Sequence, residues 1–258
     1  MANPMIEALD HISVHTADAT GAIAGYEVML GRKSGNGRLQ LANLALEIAA
    51  SHAGAAAGEA APEAGPQLGL MFAVGDLAAA GRRMSRRAVP CTQPHDGRVL
   101  LDKAATHGVA LGLVQRRQAI AAAPTSADDI VGLDHVVVRT RDPERAVALY
   151  GGRLGLDLRL DRTNPERGNR LLFFVCGDLV VEISHDTTKG VRPGPDSIRG
   201  LAWRSSDLNR AHARMSAAGV AVSEMRTGYR PGTQVFTVKS HTAGVPTLVI
   251  GGHGLERR

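Results

Sequence analysis

The stretch LDHISVHTAD at residues 9–18 recurs in the same chain as LDHVVVRTRD at residues 133–142. The offset of 124 residues continues further along, where a tyrosine, a leucine and a glycine of the first copy have counterparts in the second. These pairs are Tyr26 with Tyr150, Leu30 with Leu154, and Gly31 with Gly155. A period that holds over more than twenty residues indicates an internal duplication.

Each copy combines a histidine with a later glutamate. His11 and His135 lie on the short apolar strands predicted for the quoted stretches. Glu47 and Glu182 lie on later apolar strands, LALEI at residues 44–48 and LVVEI at residues 179–183. Between them, the first copy predicts a helix that begins with Asp18 or Thr20 near its cap and ends at Gly31. Two histidines and two carboxylates at matched places indicate a metal site built by duplication.

Four repeats of strand, helix and two or three strands account for most of the chain. The second and fourth repeats match each other more loosely, with residues 69–77 corresponding to residues 200–208. No single repeat is large enough to bury its own sheet face, so repeats must pair. We therefore expect an α+β fold in which four βαβββ modules pair into cupped, mostly antiparallel sheets with the helices outside.

The predicted boundaries follow from these repeats and from composition. Segments rich in Ala, Gly and Pro predict connectors at residues 50–66 and 116–130. A longer spacing before Glu182 predicts an extra loop around residues 161–170. The modules are residues 6–52, 67–115, 131–186 and 197–252, which gives halves at 1–115 and 131–252, a linker at 116–130 and a tail at 253–258.

Composition excludes several functional classes. The net charge of +5 arises from 30 basic and 25 acidic residues, and aromatic residues make up 3%. The densest basic group, Arg82, Arg83, Arg86 and Arg87, has the spacing of a solvated helix face without stacking aromatics, so we expect no nucleic-acid partner. No apolar run predicts a signal peptide or a membrane partner. Two cysteines without a CxxC pair are typical of a reducing, cytoplasmic location.

The duplicated pattern resembles the vicinal oxygen chelate superfamily, which includes glyoxalase I, bleomycin-resistance proteins, methylmalonyl-CoA epimerase and extradiol dioxygenases. A strand that opens Leu-Asp-His, an Asp that starts a helix and a Tyr…Leu-Gly helix end are the features that match. The resemblance implies βαβββ modules that hold a divalent metal: Fe, Mn, Ni, Co or Zn. It implies His11, Glu47, His135 and Glu182 as ligands, with Glu47 or Glu182 doubling as the catalytic base.

Half of the modules depart from the ligand pattern of the family. The first-strand position falls at Gly69 and Gly200, and the last-strand position falls near Gly112 and near Leu248 or Val249. If the first module pairs with the third, all four ligands converge on one metal, and we favour this arrangement. If modules pair in sequence order, each cup holds one His and one Glu, which is a weak site.

Several residues near the predicted ligands are candidates for substrate contact. Alternation along a strand places Ser13 and His15 on the face of His11, and Arg139 on the face of His135. His15 has a structural alternative, Trp203 has the alternative of core packing, and Tyr229 lies in either a lid or an ordinary turn. The substrate candidates are Ser13, His15, Arg139, Trp203, Arg204 and Tyr229. Six further histidines, at positions 95, 107, 185, 212, 241 and 253, are predicted to lie on the surface.

The function that these expectations favour is a metal-dependent enzyme of the glyoxalase, epimerase or lyase type. Its partner would be a small oxygen-bearing substrate, and its chemistry Lewis-acid and proton-transfer catalysis. An extradiol-type Fe(II) dioxygenase is one alternative, and a metal-free protein that sequesters a small molecule is another. A homodimer is compatible with the sequence.

Overall fold

The computed structural model describes residues 5–51, 65–116 and 129–252, and these residues form two mixed sheets with helices. The predicted α+β class is confirmed. Most of the two predicted connectors and the tail lie outside the described residues. The last two residues of the predicted linker are part of the fold, because Asp129 and Ile130 are buried.

The first two repeats form a six-stranded sheet with the order β2-β3-β1-β4-β6-β5. Each has a strand, a helix and two strands, so the third closing strand of a full module is missing from the described residues. The elements are β1 (Ile6–Thr16), α1 (Ala19–Leu30), β2 (Arg38–Gln40), β3 (Ala45–Ala50), β4 (Gln67–Val74), α2 (Leu77–Arg86), β5 (Arg98–Leu100) and β6 (Ala110–Gln115).

The last two repeats form an eight-stranded sheet with the order β12-β13-β14-β11-β7-β10-β9-β8. In the third repeat, helix α3 (Pro143–Ala146) continues as a π-helical segment, Val147–Arg153. The other elements are β7 (Ile130–Thr140), β8 (Asp157–Asn164), β9 (Asn169–Cys176), β10 (Leu179–Asp186), a 3₁₀ turn (Thr187–Lys189), β11 (Ser197–Ser205), α4 (Leu208–Ala217), β12 (Arg226–Thr227), β13 (Thr233–Val238) and β14 (Thr247–Gly252).

Two sequence-based expectations about this architecture are wrong. The extra loop around residues 161–170 is a β-hairpin, in which β8 pairs antiparallel with β9 and only a short turn remains. The favoured pairing of the first module with the third is not found, since each sheet joins two consecutive repeats. Backbone pairing between neighbouring first strands decided this arrangement, and a repeat pattern carries no information about which edge finds which partner.

Aspartate caps start all four α-helices. The Asp18 carboxylate accepts a hydrogen bond from the Gly21 amide at 2.8 Å, as the sequence predicted. Asp76, Asp142 and Asp207 cap the other three in the same way. Each cap satisfies an amide that has no partner within the helix, which explains why the Asp recurs with every repeat.

The chain divides into two compact units, each with its own buried core. Among the described residues, the first unit contains residues 5–12, 69–116 and 135–199, and the second contains residues 13–51, 65–68, 129–134 and 200–252. The aromatic side chains of Tyr150 and Phe174 pack together in the first unit. Trp203 is fully buried in the second unit, so it takes the core position that was one of its two predicted roles.

No helix among the described residues is both long enough and apolar enough to span a bilayer.

Candidate functional site

Strand β7 presents His135 on its open face. His135, Val137 and Arg139 are partly exposed, whereas the alternating residues Val136 and Val138 are completely buried. This period of two is what a strand with one packed face and one open face requires. The predicted inward set of β7 is therefore the partly exposed set in the structure.

Strand β10 brings Glu182 to the same open face. β10 runs parallel to β7, and Glu182 lies beside Val137 in the register while Val180 lies beside His135. The distance from His135 Nε2 to Glu182 Oε2 is 3.8 Å, and the two side chains are 17% and 18% exposed. The structure thus brings the His and Glu of the third repeat together on a face that a small molecule can reach.

The corresponding residues of the first repeat have other contacts. The Glu47 carboxylate forms an ion pair with the Arg38 guanidinium, directly opposite on the neighbouring strand β2. His11 is buried, and its Nδ1 lies 2.6 Å from a carboxylate oxygen of Asp10. A glutamate among aliphatic neighbours needs a partner, and the Arg38 guanidinium is one such partner of Glu47.

The four-ligand metal site that the resemblance implies stays a prediction. Within residues 5–51, 65–116 and 129–252, no group of three or more His, Cys, Asp and Glu side chains is arranged to hold a metal ion. His135 and Glu182 supply two donors, whereas tetrahedral metal sites in proteins use three or four. The donor set on the open face of β7 and β10 therefore does not fit the metal centre that the resemblance implied.

Packing explains why the second repeat has no ligand at the end of its last strand. Gly112 on β6 lies beside Met71 on β4. A Cβ placed on Gly112 would lie 2.5 Å from the Met71 methyl and 3.0 Å from the Val99 carbonyl oxygen. Since Met71 fills the volume that a longer side chain would need, a glutamate cannot occupy this position without rearrangement.

A cavity of about 630 Å³ opens on the same face as His135 and Glu182. Val137 and Ser184 line it, and each is a neighbour of Glu182, one across the strands and one two residues along β10. Arg139, a predicted substrate residue, also lines it. This volume lies in the range of small-molecule sites in proteins.

The remaining predicted substrate residues lie elsewhere. Ser13 and His15 are partly exposed on β1. The Arg204 guanidinium contacts Asp134, whose carboxylate also binds Arg230. Tyr229 is 51% exposed in the turn before β13. None of these residues, nor the buried Trp203, lines the cavity beside Glu182.

Sequence reasoning missed residues that line this cavity. His185 was predicted to lie on the surface, but it is 5% exposed, and its Nδ1 lies 3.4 Å from the Thr140 carbonyl oxygen. Alternation along β10 would have placed it on the packed face with Ile183. Arg167 and Arg199 also line the cavity, and no sequence motif marks them.

Asp186 supplies a negative charge at the cavity wall. A hydrogen bond from the Thr188 hydroxyl lowers the pKa of Asp186, and the nearby Lys189 ammonium lowers it further. The Arg139 guanidinium donates to the same carboxylate at 3.1 Å. Asp186 therefore remains a carboxylate at neutral pH and holds Arg139 at the cavity wall.

Comparison with known proteins finds a family model that matches part of the chain. The family model described as Glyoxalase/Bleomycin resistance protein/Dioxygenase superfamily matches residues 132–242. No curated protein sequence matches the chain significantly. Residues 132–242 include β7, β10 and therefore His135 and Glu182.

Solved structures with the same fold cover nearly the whole chain. The 2,3-dioxygenase LapB from Pseudomonas sp. KL28 is 14% identical with a TM-score of 0.67, over 97% of this chain and 94% of its own. The halotolerant catechol dioxygenase BphC is 13% identical with a TM-score of 0.67, over 96% and 87%. The 2,2',3-trihydroxybiphenyl 1,2-dioxygenase from Sphingomonas wittichii strain RW1 is 15% identical with a TM-score of 0.65, over 96% and 90%.

At these identities the likeness concerns the fold. Together with the family match and the duplicated Leu-Asp-His strands, it leads to one conclusion. Residues 132–242 match the Glyoxalase/Bleomycin resistance protein/Dioxygenase superfamily model, and the chain as a whole has a two-halved fold like that of the dioxygenases BphC and LapB.

Proposed function

We propose that the protein is a proton-transfer enzyme of the isomerase, epimerase or lyase type that acts on a small oxygen-bearing organic molecule. The observation that carries this proposal is the pair of His135 and Glu182, 3.8 Å apart on a partly exposed face beside the cavity. A carboxylate and an imidazole at this distance can both reach one bound molecule. General acid–base catalysis needs two such groups in that position.

The two side chains take complementary roles. Glu182 removes the proton from a carbon next to a carbonyl group, and His135 donates a proton to the carbonyl oxygen, so that an enol forms and no negative charge is left on that oxygen. Return of a proton to a different face or carbon gives an epimer or isomer. Loss of a group from the neighbouring carbon gives the product of a lyase.

Metal dependence is the part of the resemblance that the donor set supports least. The contact between His135 and Glu182 brings together two donors, fewer than a metal centre in a protein commonly uses. The chemistry proposed above needs no further protein donor. We therefore derive no step through a metal and include metal addition as a separate condition in the test.

Two alternatives are separated by the same experiments. A ring-cleaving dioxygenase, the activity of the structural relatives, would need the 2-His-1-carboxylate set of non-haem Fe(II) oxygenases, and we expect no oxygen uptake with catechols. The cavity also supports the alternative that the protein only binds and sequesters its ligand, because sequestration needs a cavity and no reaction. Both cysteines are free thiols, which supports a reducing compartment such as the cytoplasm.

The test is solvent deuterium exchange, followed by ¹H NMR, into a panel of 2-oxo and 2-hydroxy carboxylates in D₂O. We expect the protein to exchange the α-proton of at least one of these compounds. Glu182→Gln and His135→Gln should each lower the exchange rate by at least about 100-fold, because general acid–base groups contribute about 10²–10⁴-fold. The matched control is Glu224→Gln, an exposed residue outside the site, which should leave the rate unchanged.

Further assays test whether the reaction depends on a metal and whether the protein consumes oxygen. Each assay is repeated with a chelator and with added Fe, Mn, Ni, Co or Zn, and oxygen uptake is recorded with catechols. Exchange that survives the chelator supports the proposal. Exchange that appears only with metal, or that persists in Glu182→Gln, contradicts the assigned roles. Ligand binding without exchange by any compound would leave sequestration as the function.

A further inference from the structure

The cavity beside Glu182 has an excess of positive charge. Three guanidinium groups line it, from Arg139, Arg167 and Arg199, against the single carboxylate of Asp186. Asp186 is already bound by Arg139, Thr188 and Lys189. The side chains that line the cavity therefore carry more positive than negative formal charge.

Arg199 is the cation that its surroundings leave uncompensated. Within the described chain, no hydrogen bond or ion pair is found for its side chain, and it lies exposed at the start of β11. An arginine held at a cavity wall without a carboxylate partner can offer its donors to a ligand. Guanidinium groups bind carboxylates and phosphates through paired hydrogen bonds.

Neutral groups in the same cavity indicate a second feature of the ligand. The Asn169 side-chain oxygen is buried and has no hydrogen-bond partner among the described residues. Asn169 lines the cavity together with the hydroxyl-bearing residue Ser184. The Ser184 hydroxyl can both donate and accept, so it can pair with a hydroxyl group of a ligand in the cavity.

The cavity and the reacting pair are close enough to serve one molecule. Val137 lies between His135 and Arg139 on the open face of β7, and successive residues on one face are about 7 Å apart. Ser184, beside Arg139 in the register, is the next open-face residue after Glu182. A ligand of roughly 7–13 Å would therefore reach from the arginines to His135 and Glu182.

We infer that the substrate is a small organic oxyanion that also carries a hydroxyl group, with its carboxylate or phosphate bound by Arg139, Arg167 and Arg199. The inference rests on the proposed function, since it names the substrate class of the same site. The cationic end holds the charged group, and the oxygen-bearing carbon lies toward His135 and Glu182.

Calorimetric titration tests the inference with three probes: malonate, inorganic phosphate and malonamide. Malonate and malonamide have the same carbon skeleton and differ in charge. We expect malonate or phosphate to bind, and malonamide to bind at least about tenfold more weakly. Comparing malonate with phosphate distinguishes a carboxylate ligand from a phosphate ligand. Raising the salt concentration from about 50 to about 500 mM should lower the affinity for the anion, because salt screens charges at a site that is open to solvent.

The key variant is Arg199→Gln, and its matched control is Arg83→Gln, which removes the same charge from an exposed position of α2 in the same unit. Arg199→Gln should weaken anion binding at least about tenfold and Arg83→Gln should not change it. The inference is wrong if Arg199→Gln, Arg83→Gln and the original protein bind the anion with equal affinity. It is also wrong if malonamide binds as tightly as malonate.

Failure of the inference and failure of the proposed function give different results. If the anion binds through Arg199 but no α-proton exchanges, the result supports an oxyanion ligand and contradicts the proposed proton transfer. If exchange depends on Glu182 while Arg199→Gln leaves both anion binding and the Michaelis constant unchanged, the result supports the proposed proton transfer and contradicts the role of Arg199 in binding an oxyanion.

Discussion

Duplicated residues in this chain have acquired different partners. Glu47 and Glu182 hold matched places in the first and third repeats, yet Glu47 binds Arg38 and Glu182 lies beside His135. Arg38 is directly opposite Glu47 across the β2–β3 pair, so a single cross-strand neighbour converts a potential ligand into half of a surface ion pair. The role of each copy is therefore decided by its contacts.

Glu27 should make the stability of the protein depend on pH in the acid range. The Ser34 amide, followed by Lys33 and the Ser34 hydroxyl, lowers the pKa of Glu27 to about 2. A carboxyl whose folded pKa is depressed stabilises the fold above its unfolded pKa, near 4.5, and this contribution disappears as the pH falls through about 2. Glu27→Gln should therefore be less stable than the original protein at pH 7.

Urea unfolding at a series of pH values measures this difference. The gap between the two proteins should close between about pH 4.5 and pH 2, and Glu224→Gln, at an exposed site, should show no such gap. A gap that stays constant down to pH 2 would show that Glu27 acts through packing and not through its charge.

The two thiols should differ sharply in reactivity. Burial, with a smaller contribution from Asp178, raises the pKa of Cys176 to about 12, whereas Cys91 is partly exposed. Because the thiolate is the reactive form, one thiol per folded chain should react with a disulfide reagent and the second only after unfolding. Cys91→Ser should abolish the fast reaction. Two thiols reacting at the same rate in the folded protein would contradict this.

At the scale of elements, arginines from one repeat cap the helix ends of another. In the second unit, Arg214 of α4 donates to the carbonyls of Val28 and Met29 at the end of α1. In the first unit, Arg87 after α2 donates to the carbonyls of Gly152 and Arg153 at the end of the π-helical segment. Arg87 was predicted to be part of a solvated helix face, and its capping contacts correct that prediction.

Arg214 should be important for stability because it also neutralises a buried carboxylate. Its guanidinium binds both oxygens of Asp129, which is 2% exposed. Removing one partner of a buried pair costs about 3–5 kcal/mol, and Arg214 is itself 29% exposed, so we expect Arg214→Ala to lose about 2–3 kcal/mol in urea unfolding.

Two further variants separate charge from packing at this position. Arg210→Ala removes an exposed arginine from the same helix and should change stability by less than about 0.5 kcal/mol. Combining Asp129→Ala with Arg214→Ala should recover part of the loss, because no unpaired carboxylate remains buried. Equal stability of Arg214→Ala and Arg210→Ala would contradict the capping role.

At the scale of the whole molecule, the sheets and the compact units divide the chain differently. Each sheet contains two consecutive repeats, whereas each unit combines parts of an early and a late repeat. In the second unit, for example, the Tyr26 hydroxyl of the first repeat donates to the Thr242 carbonyl of the fourth. The predicted halves at 1–115 and 131–252 therefore correspond to sheets, and the cores form across them.

Much of this molecule follows from the sequence alone. The internal repeat, the strand that carries each histidine, the Asp that starts each helix and the superfamily resemblance were readable because they depend on local periodicity and on residues close together in the chain. The pairing of His135 with Glu182 was predictable in part, because both belong to one repeat and lie on faces that alternation assigns.

The contacts that form the candidate site became visible only in the tertiary structure. Arg38 opposite Glu47, Met71 over Gly112 and Arg199 at the wall of the cavity are contacts between residues that no motif connects. Such contacts depend on strand register and on which strand edges meet, and both are set by the packing of the whole chain. For that reason the sequence could predict four candidate ligands by their repeat positions, whereas the contact between His135 and Glu182 and the arginines of the cavity became visible only in the fold.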